Sequence, residues 1–159
     1  MRLALYQPDI PQNLGAAIRL CACFATPLDV ILPCGFALTD RAMKRAALDY
    51  GALSQVRTHA SFAAYRAAFA GRGRLTLIET DGAVALPDMI FQPEDRLILG
   101  RESAGAGPEV YAAADAVVRI PIAPQARSLN VVTAAAIALA EALRQTGGFP
   151  AAPQPPNSP

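Results

Sequence analysis

Apolar residues along this chain fall into short runs, and most runs are followed by a stretch with helical spacing. Arg2–Tyr6, Leu28–Leu32, Arg74–Ile78, Arg96–Leu99 and Ala116–Ile120 each read as a buried strand, and Val56–Thr58 as a weaker one. Between them Leu14, Ile18, Cys21 and Ala22 recur on one helical face, with Asn13 expected as the N-cap and Thr26-Pro27 as the stop. Thr39 and Asp40 are expected to cap a short helix carrying Arg41, Lys44 and Arg45. Ser61 caps a predicted helix over Phe62–Ala70, closed by Gly71 and Gly73, and another short helix begins at Pro108. The last helix is expected to start near Ser128; from Val131 to Leu143 it is apolar almost all round, which implies burial on more than one side. This alternation predicts a single α/β domain, with a mostly parallel sheet and helices on both faces. That domain is expected over residues 1–148, followed by a flexible proline-rich tail over 149–159.

Ligands of such sheets sit outside the carboxyl ends of the strands. Three loops leave strand ends with polar or glycine-rich content: Ile78–Gly82, Gly100–Gly107 and Ile120–Ser128. Their convergence is the first functional expectation. The glycine loop GRESAGAG lacks the lysine of a phosphate-binding loop and does not fit the dinucleotide fingerprint, so taken alone it could be a tight turn without a ligand. Arg19 lies in an otherwise apolar helical segment, and its simplest reading is a packed stem with a solvated head.

Composition narrows the classes. The 159 residues are 53% hydrophobic with a net charge of +1, enough for a real core and without a global basic field. Three cysteines without CxxC spacing and a single histidine, His59, argue against a zinc site or a disulfide framework and favour a reducing cytosol. No apolar stretch reaches the roughly 20 residues of a membrane span, and the run Leu3–Tyr6 is too short for a signal peptide. Neither a Ser-His-Asp set around His59 nor a GxSxG elbow can be built. The basic cluster Arg41, Lys44 and Arg45, with Arg57 and Arg66 nearby in sequence, permits a phosphate-contacting surface.

Three stretches in order carry a resemblance. PQNLGAAIRLC is similar to the N-x-G-x-x-x-R motif of SPOUT-superfamily RNA 2′-O-methyltransferases, LILGRESAGAGPEV to their G-x-E-x-x-G motif, and IPIAPQARSLNVVTAAAIAL to their third motif, which ends in S-L-N before a helix. GFALTDRAMKRAALDY resembles the minimal branch that modifies the wobble nucleotide of tRNA, and the likeness runs to about Gly148. Two positions depart from that branch: Arg101 stands where proline is usual, and Thr133 where a second asparagine is usual.

The resemblance implies a C-terminal trefoil knot, a homodimer, and S-adenosylmethionine as cofactor with S-adenosylhomocysteine as product. It implies no metal and no membrane partner. The implied partner is tRNA, at its anticodon region. Implied cofactor positions are Ile78, Gly100, Ile120 and Ser128, with Thr80, Glu102 and Leu129 beside them. Implied catalytic positions are Arg19, Asn13, Ser128 and Asn130. Arg19 matches the family arginine associated with activating the ribose hydroxyl; a guanidinium has no acceptor, so polarising the hydroxyl or holding a phosphate is the physical form of that role. The implied reaction is methylation of the ribose 2′-oxygen of the wobble nucleotide, cytidine or a modified uridine. Two alternatives stand beside it: the same chemistry at another tRNA or rRNA ribose, and a catalytically silent knotted dimer that binds RNA or cofactor.

Overall fold

A seven-stranded sheet in the order β3-β2-β1-β6-β4-β7-β5 organises the chain, and all six strand pairings are parallel. The strands are β1 (Arg2–Tyr6), β2 (Leu28–Ile31), β3 (Val56–His59), β4 (Leu75–Ile78), β5 (Val84–Ala85), β6 (Arg96–Leu99) and β7 (Ala116–Arg119). The helices are α1 (Pro11–Cys23), α2 (Phe62–Ala68), α3 (Pro108–Ala113) and α4 (Val131–Thr146), with a 3₁₀ turn at Leu86–Asp88. This computed structural model describes residues 1–38 and 55–151. The expected helix around Arg41, Lys44 and Arg45 and most of the expected tail lie outside the described residues.

Alternation along the strands explains the layering. Leu3, Leu5, Leu28, Val30, Leu97 and Leu99 face one core together with Leu14, Ile18 and Cys21 of α1 and Ala135, Leu139 and Leu143 of α4. Ala4, Tyr6, Ile31, Leu75, Leu77 and Ile98 face a second core, closed by Phe62 and Tyr65 of α2 and Val110 of α3. Central parallel strands are buried on both faces, which is why they read as unbroken apolar runs. Two polar residues of these strands, Thr76 and Asp29, are wholly buried; Arg2 grips Asp29 through Nε and Nη2 at 2.8 and 3.1 Å, and His59 Nε2 lies 2.8 Å from its Oδ1.

Several helix boundaries differ from expectation, each for a local reason. Helix α1 begins at Pro11, whose fixed φ suits the first helical position, and the capping residue is Ile10. Asn13 therefore sits inside the first turn, with its amide turned to other elements. Helix α4 is capped by Asn130 rather than Ser128: Asn130 Oδ1 accepts from the backbone N–H groups of Val132 and Thr133 at 2.9 and 3.3 Å. Ser61 caps α2 as expected, accepting from Ala64 N at 3.1 Å. That helix closes at Ala68, earlier than expected. The two-residue β5 and the 3₁₀ turn carry no periodic pattern and were not anticipated. In the single chain α4 buries one stripe, Ala135, Ala138, Leu139, Ala142 and Leu143, while Ile137 is 40% exposed. Burial on a second side is thus not seen among the described residues. No described helix is long and apolar enough to cross a membrane.

Candidate active site

Strands β1, β6, β4 and β7 are neighbours, and the loops leaving their carboxyl ends enclose one cavity of about 660 Å³. Its apolar wall is Ile78, Leu99, Ile120, Ile122, Leu129 and Val131. The polar groups come from all four loops: Asn13 after β1, Glu79, Thr80 and Asp81 after β4, Arg101 and Glu102 after β6, Arg127, Ser128 and Asn130 after β7. Every residue singled out from the sequence as a site position lines this cavity except Arg19. That arginine is exposed on α1, immediately after the buried pair Ala17 and Ile18.

Hydrogen bonds lock the loops to one another. Asn130 uses its oxygen to cap α4, so its Nδ2 is left to donate to Asn13 Oδ1, at 3.0 Å. Asn13 Nδ2 in turn donates to Glu102 Oε1 at 2.9 Å, and Glu102 Oε2 accepts from the backbone N–H of Asp9 at 3.0 Å. Each amide orientation is fixed by its neighbour, and the relay ends on a charged acceptor, where hydrogen bonds are strongest. The three sequence motifs are in this way three parts of one network.

The glycine loop is held from the opposite side. Arg101 and Gly105 exchange backbone hydrogen bonds, both at 2.9 Å, closing a tight hairpin. Gly105 adopts φ +68°, the left-handed region that favours glycine. Glu79 Oε1 accepts from Ala106 N at 2.8 Å, and its Oε2 from Thr80 N at 3.2 Å. A Cβ on Gly100 would stand 2.3 Å from Ala106 N and 2.6 Å from Glu79 Oε1, so only glycine fits where β6 opens into the cavity. Glu79 was missed from the sequence because its partner is 27 residues away and nothing local marks it.

Electrostatics set the protonation of the rim. The Glu102 side chain beside Asp9, the Ser103 hydroxyl donating to it and Arg101 nearby hold the pKa of Asp9 down to about 2. Burial, aided by a 2.8 Å hydrogen bond to Asp81, raises the Tyr111 hydroxyl, which stays protonated. Burial also pushes Cys21 up to about 12, and Cys34 is raised for the same reason, so these thiols are not nucleophiles. Among the described residues no group of three or more His, Cys, Asp or Glu could hold a metal ion.

Comparison with known proteins extends this picture. Residues 1–140 match the family described as the SpoU rRNA Methylase family. A protein of Beijerinckia indica named tRNA (cytidine(34)-2′-O)-methyltransferase is 49% identical over 148 residues, covering 92% of each chain. A solved structure described as structural insights into the 2-OH methylation of C/U34 on tRNA superposes with a TM-score of 0.84 at 40% identity, covering 91% of this chain and 94% of that one. An AdoMet-bound rRNA methyltransferase from Sinorhizobium meliloti superposes with a TM-score of 0.79 at 25% identity, over 90% of this chain and 55% of that one. The match over residues 1–140, the shared fold and the joined motifs together place this chain in the SpoU rRNA Methylase family.

Proposed function

We propose that this chain is an S-adenosylmethionine-dependent methyltransferase that modifies the ribose 2′-oxygen of the tRNA wobble nucleotide, cytidine or a modified uridine at position 34, and releases S-adenosylhomocysteine. The observation that carries the reading is the cavity at the carboxyl ends of β1, β6, β4 and β7, tied together by Glu102, Asn13 and Asn130. The relatives named for this reaction support the substrate and the position. A cytoplasmic location follows from that substrate.

The residues present fit the cofactor. A cavity of about 660 Å³ lies within the range of roughly 300–1,000 Å³ usual for small-molecule sites. Ile78, Leu99, Ile120 and Leu129 offer an apolar wall for a base and a thioether chain, and Gly100 lets the backbone approach closely. Thr80, Glu102 and Ser128 supply polar groups around them. When bound, the cofactor supplies an electrophilic methyl group on a sulfonium.

The chain's own part is positioning, which can contribute several kcal/mol to a transfer between two held groups. Asn13 and Asn130 hold the first and last loops against each other, and Ser128 stands two residues before the cap of α4, where it can orient the ribose. Glu102 anchors both Asn13 and the Asp9 backbone. Arg19 is assigned to polarising the 2′-hydroxyl or holding an adjacent phosphate that receives its proton as the methyl is transferred. It is exposed on α1 and is not among the residues lining the cavity, and bound RNA or a second subunit would complete the site around it. A homodimer fits this reading, since α4 leaves Ile137 and a half-buried alanine row for a partner. The trefoil knot belongs to it as well; the placement of β4 between β6 and β7 supports it. Basic residues of the segment containing Arg41, Lys44 and Arg45 would add phosphate contacts.

Incubation with labelled S-adenosylmethionine and bulk tRNA, followed by nucleoside mapping, tests the proposal. A 2′-O-methyl group on the wobble nucleotide is the expected product. Label at another ribose would move the target, and cofactor binding without label in any RNA would leave a silent binding protein.

A further inference from the structure

The rim of the cavity holds several carboxylates, and each is engaged by donors of its own. Glu79 accepts from Ala106 and Thr80, Asp81 from Tyr111, and Glu102 from Asn13 and the Asp9 backbone. Asp9 accepts from the Ser103 hydroxyl. Arg101 differs from all of these. Its backbone is fixed by Gly105 on both N–H and C=O, yet its side chain, 37% exposed, makes only a loose ion pair, with Nε 3.5 Å from Asp9 Oδ2. Its Nε is buried and has no hydrogen-bond partner among the described residues, and the same is true of Asp9 Oδ1. A guanidinium carries five donors in a planar fork, matched to a two-oxygen anion.

Asp9 Oδ2, at 3.5 Å, does not close to hydrogen-bond distance, which leaves the fork able to take a two-oxygen anion of a bound molecule. Arg101 lines the cavity beside Asp9 of the loop after β1, with its side chain partly open to solvent. A partly solvated guanidinium at this place is open to a polyanion.

Resting on the methyltransferase reading above, we propose that Arg101 binds substrate RNA, its guanidinium taking the oxygens of a backbone phosphate next to the ribose that is methylated. Asp9 is the positioning residue: it presets the guanidinium at the mouth without the close contact that would occupy it. Proline at this position could not make the contact, so the arginine adds one phosphate to the footprint of this chain.

The test compares wild type, Arg101→Gln and Arg101→Lys in binding to bulk tRNA across a salt series, with cofactor affinity measured by calorimetry and steady-state kinetics run alongside. Arg101→Gln is expected to raise KM for tRNA about tenfold and to reduce the slope of log affinity against log salt by about 0.7, one single-strand phosphate contact. Its cofactor Kd should stay within about twofold. Arg101→Lys, which keeps the charge beside Asp9 and guards against a folding defect in the glutamine variant, should recover the salt slope but not the full KM, because it lacks the fork. An unchanged slope and KM in Arg101→Gln would overturn the proposal. So would a weakened cofactor Kd with an unchanged slope, which would assign the guanidinium to the carboxylate of the cofactor. If wild type methylates no tRNA at all, the reaction assignment fails, whereas the binding slope still reports on the phosphate contact.

Discussion

Asn13 and Asn130, 117 residues apart in the chain, meet amide to amide at 3.0 Å. The contact exists because Asn130 has spent its oxygen on the N-terminus of α4, and Asn13 has turned its own amide group toward Glu102. Asn130→Ala removes a helix cap, about 1 kcal/mol, and leaves Asn13 Oδ1 unpaired. Asn13→Ala takes a donor from a carboxylate, which costs about 1.5–3 kcal/mol. A double-mutant cycle followed by thermal unfolding should show a coupling of at least about 0.5 kcal/mol. Strict additivity would mean that the two motifs are neighbours without being joined.

Gly100→Ala tests the close approach at the end of β6. Its Cβ would meet Ala106 N at 2.3 Å and Glu79 Oε1 at 2.6 Å, so the glycine loop must move. The expected result is a fold unchanged by circular dichroism with cofactor affinity reduced at least about tenfold by calorimetry. Normal affinity would show that the loop does not need this geometry to bind.

Acid should loosen the rim in a defined window. Asp9 has its pKa depressed to about 2, against about 3.9 in an unfolded chain. Its contribution is therefore complete above about pH 4 and is lost as the pH falls from there through about 2. Melting temperature against pH should drop more steeply in wild type than in Asp9→Asn across that window. Parallel curves would remove Asp9 from the acid response.

The buried carboxylate of Asp29 makes a prediction away from the cavity. It is wholly enclosed and faces both Arg2 and His59. Asp29→Ala leaves an arginine and a histidine without their acceptor and should cost about 3–5 kcal/mol in denaturant unfolding. An effect below about 1 kcal/mol would indicate that solvent reaches the pair.

Much of this architecture was legible in the sequence because central parallel strands must be apolar throughout. Leu3–Tyr6, Leu75–Ile78 and Arg96–Leu99 announced themselves, and with them the end of the sheet where loops gather. The motif residues of those loops could be named because each motif is local. What escaped was set by contacts across the chain. Ser128 and Asn130 are both good capping types, and only the packing of α4 decides between them. Glu79 looks like any turn residue until Ala106 is brought to it. The separation of Arg19 from the cavity follows from the rotation of α1 on the sheet, which is fixed by the burial of Ala17 and Ile18.

The four strands that feed the cavity are neighbours in the sheet but widely spaced in sequence, and the cavity lining runs from Ile10 to Ala134. During synthesis, then, no partial chain short of α4 can hold a ligand, however well its first strands have paired. Once complete, a molecule in the cavity meets the ends of β4 and β6 and the loops or helices that follow β1, β4, β6 and β7. Its binding energy should accordingly be read in hydrogen exchange as slower opening of β1, β4, β6 and β7 together, and not as the quieting of one loop.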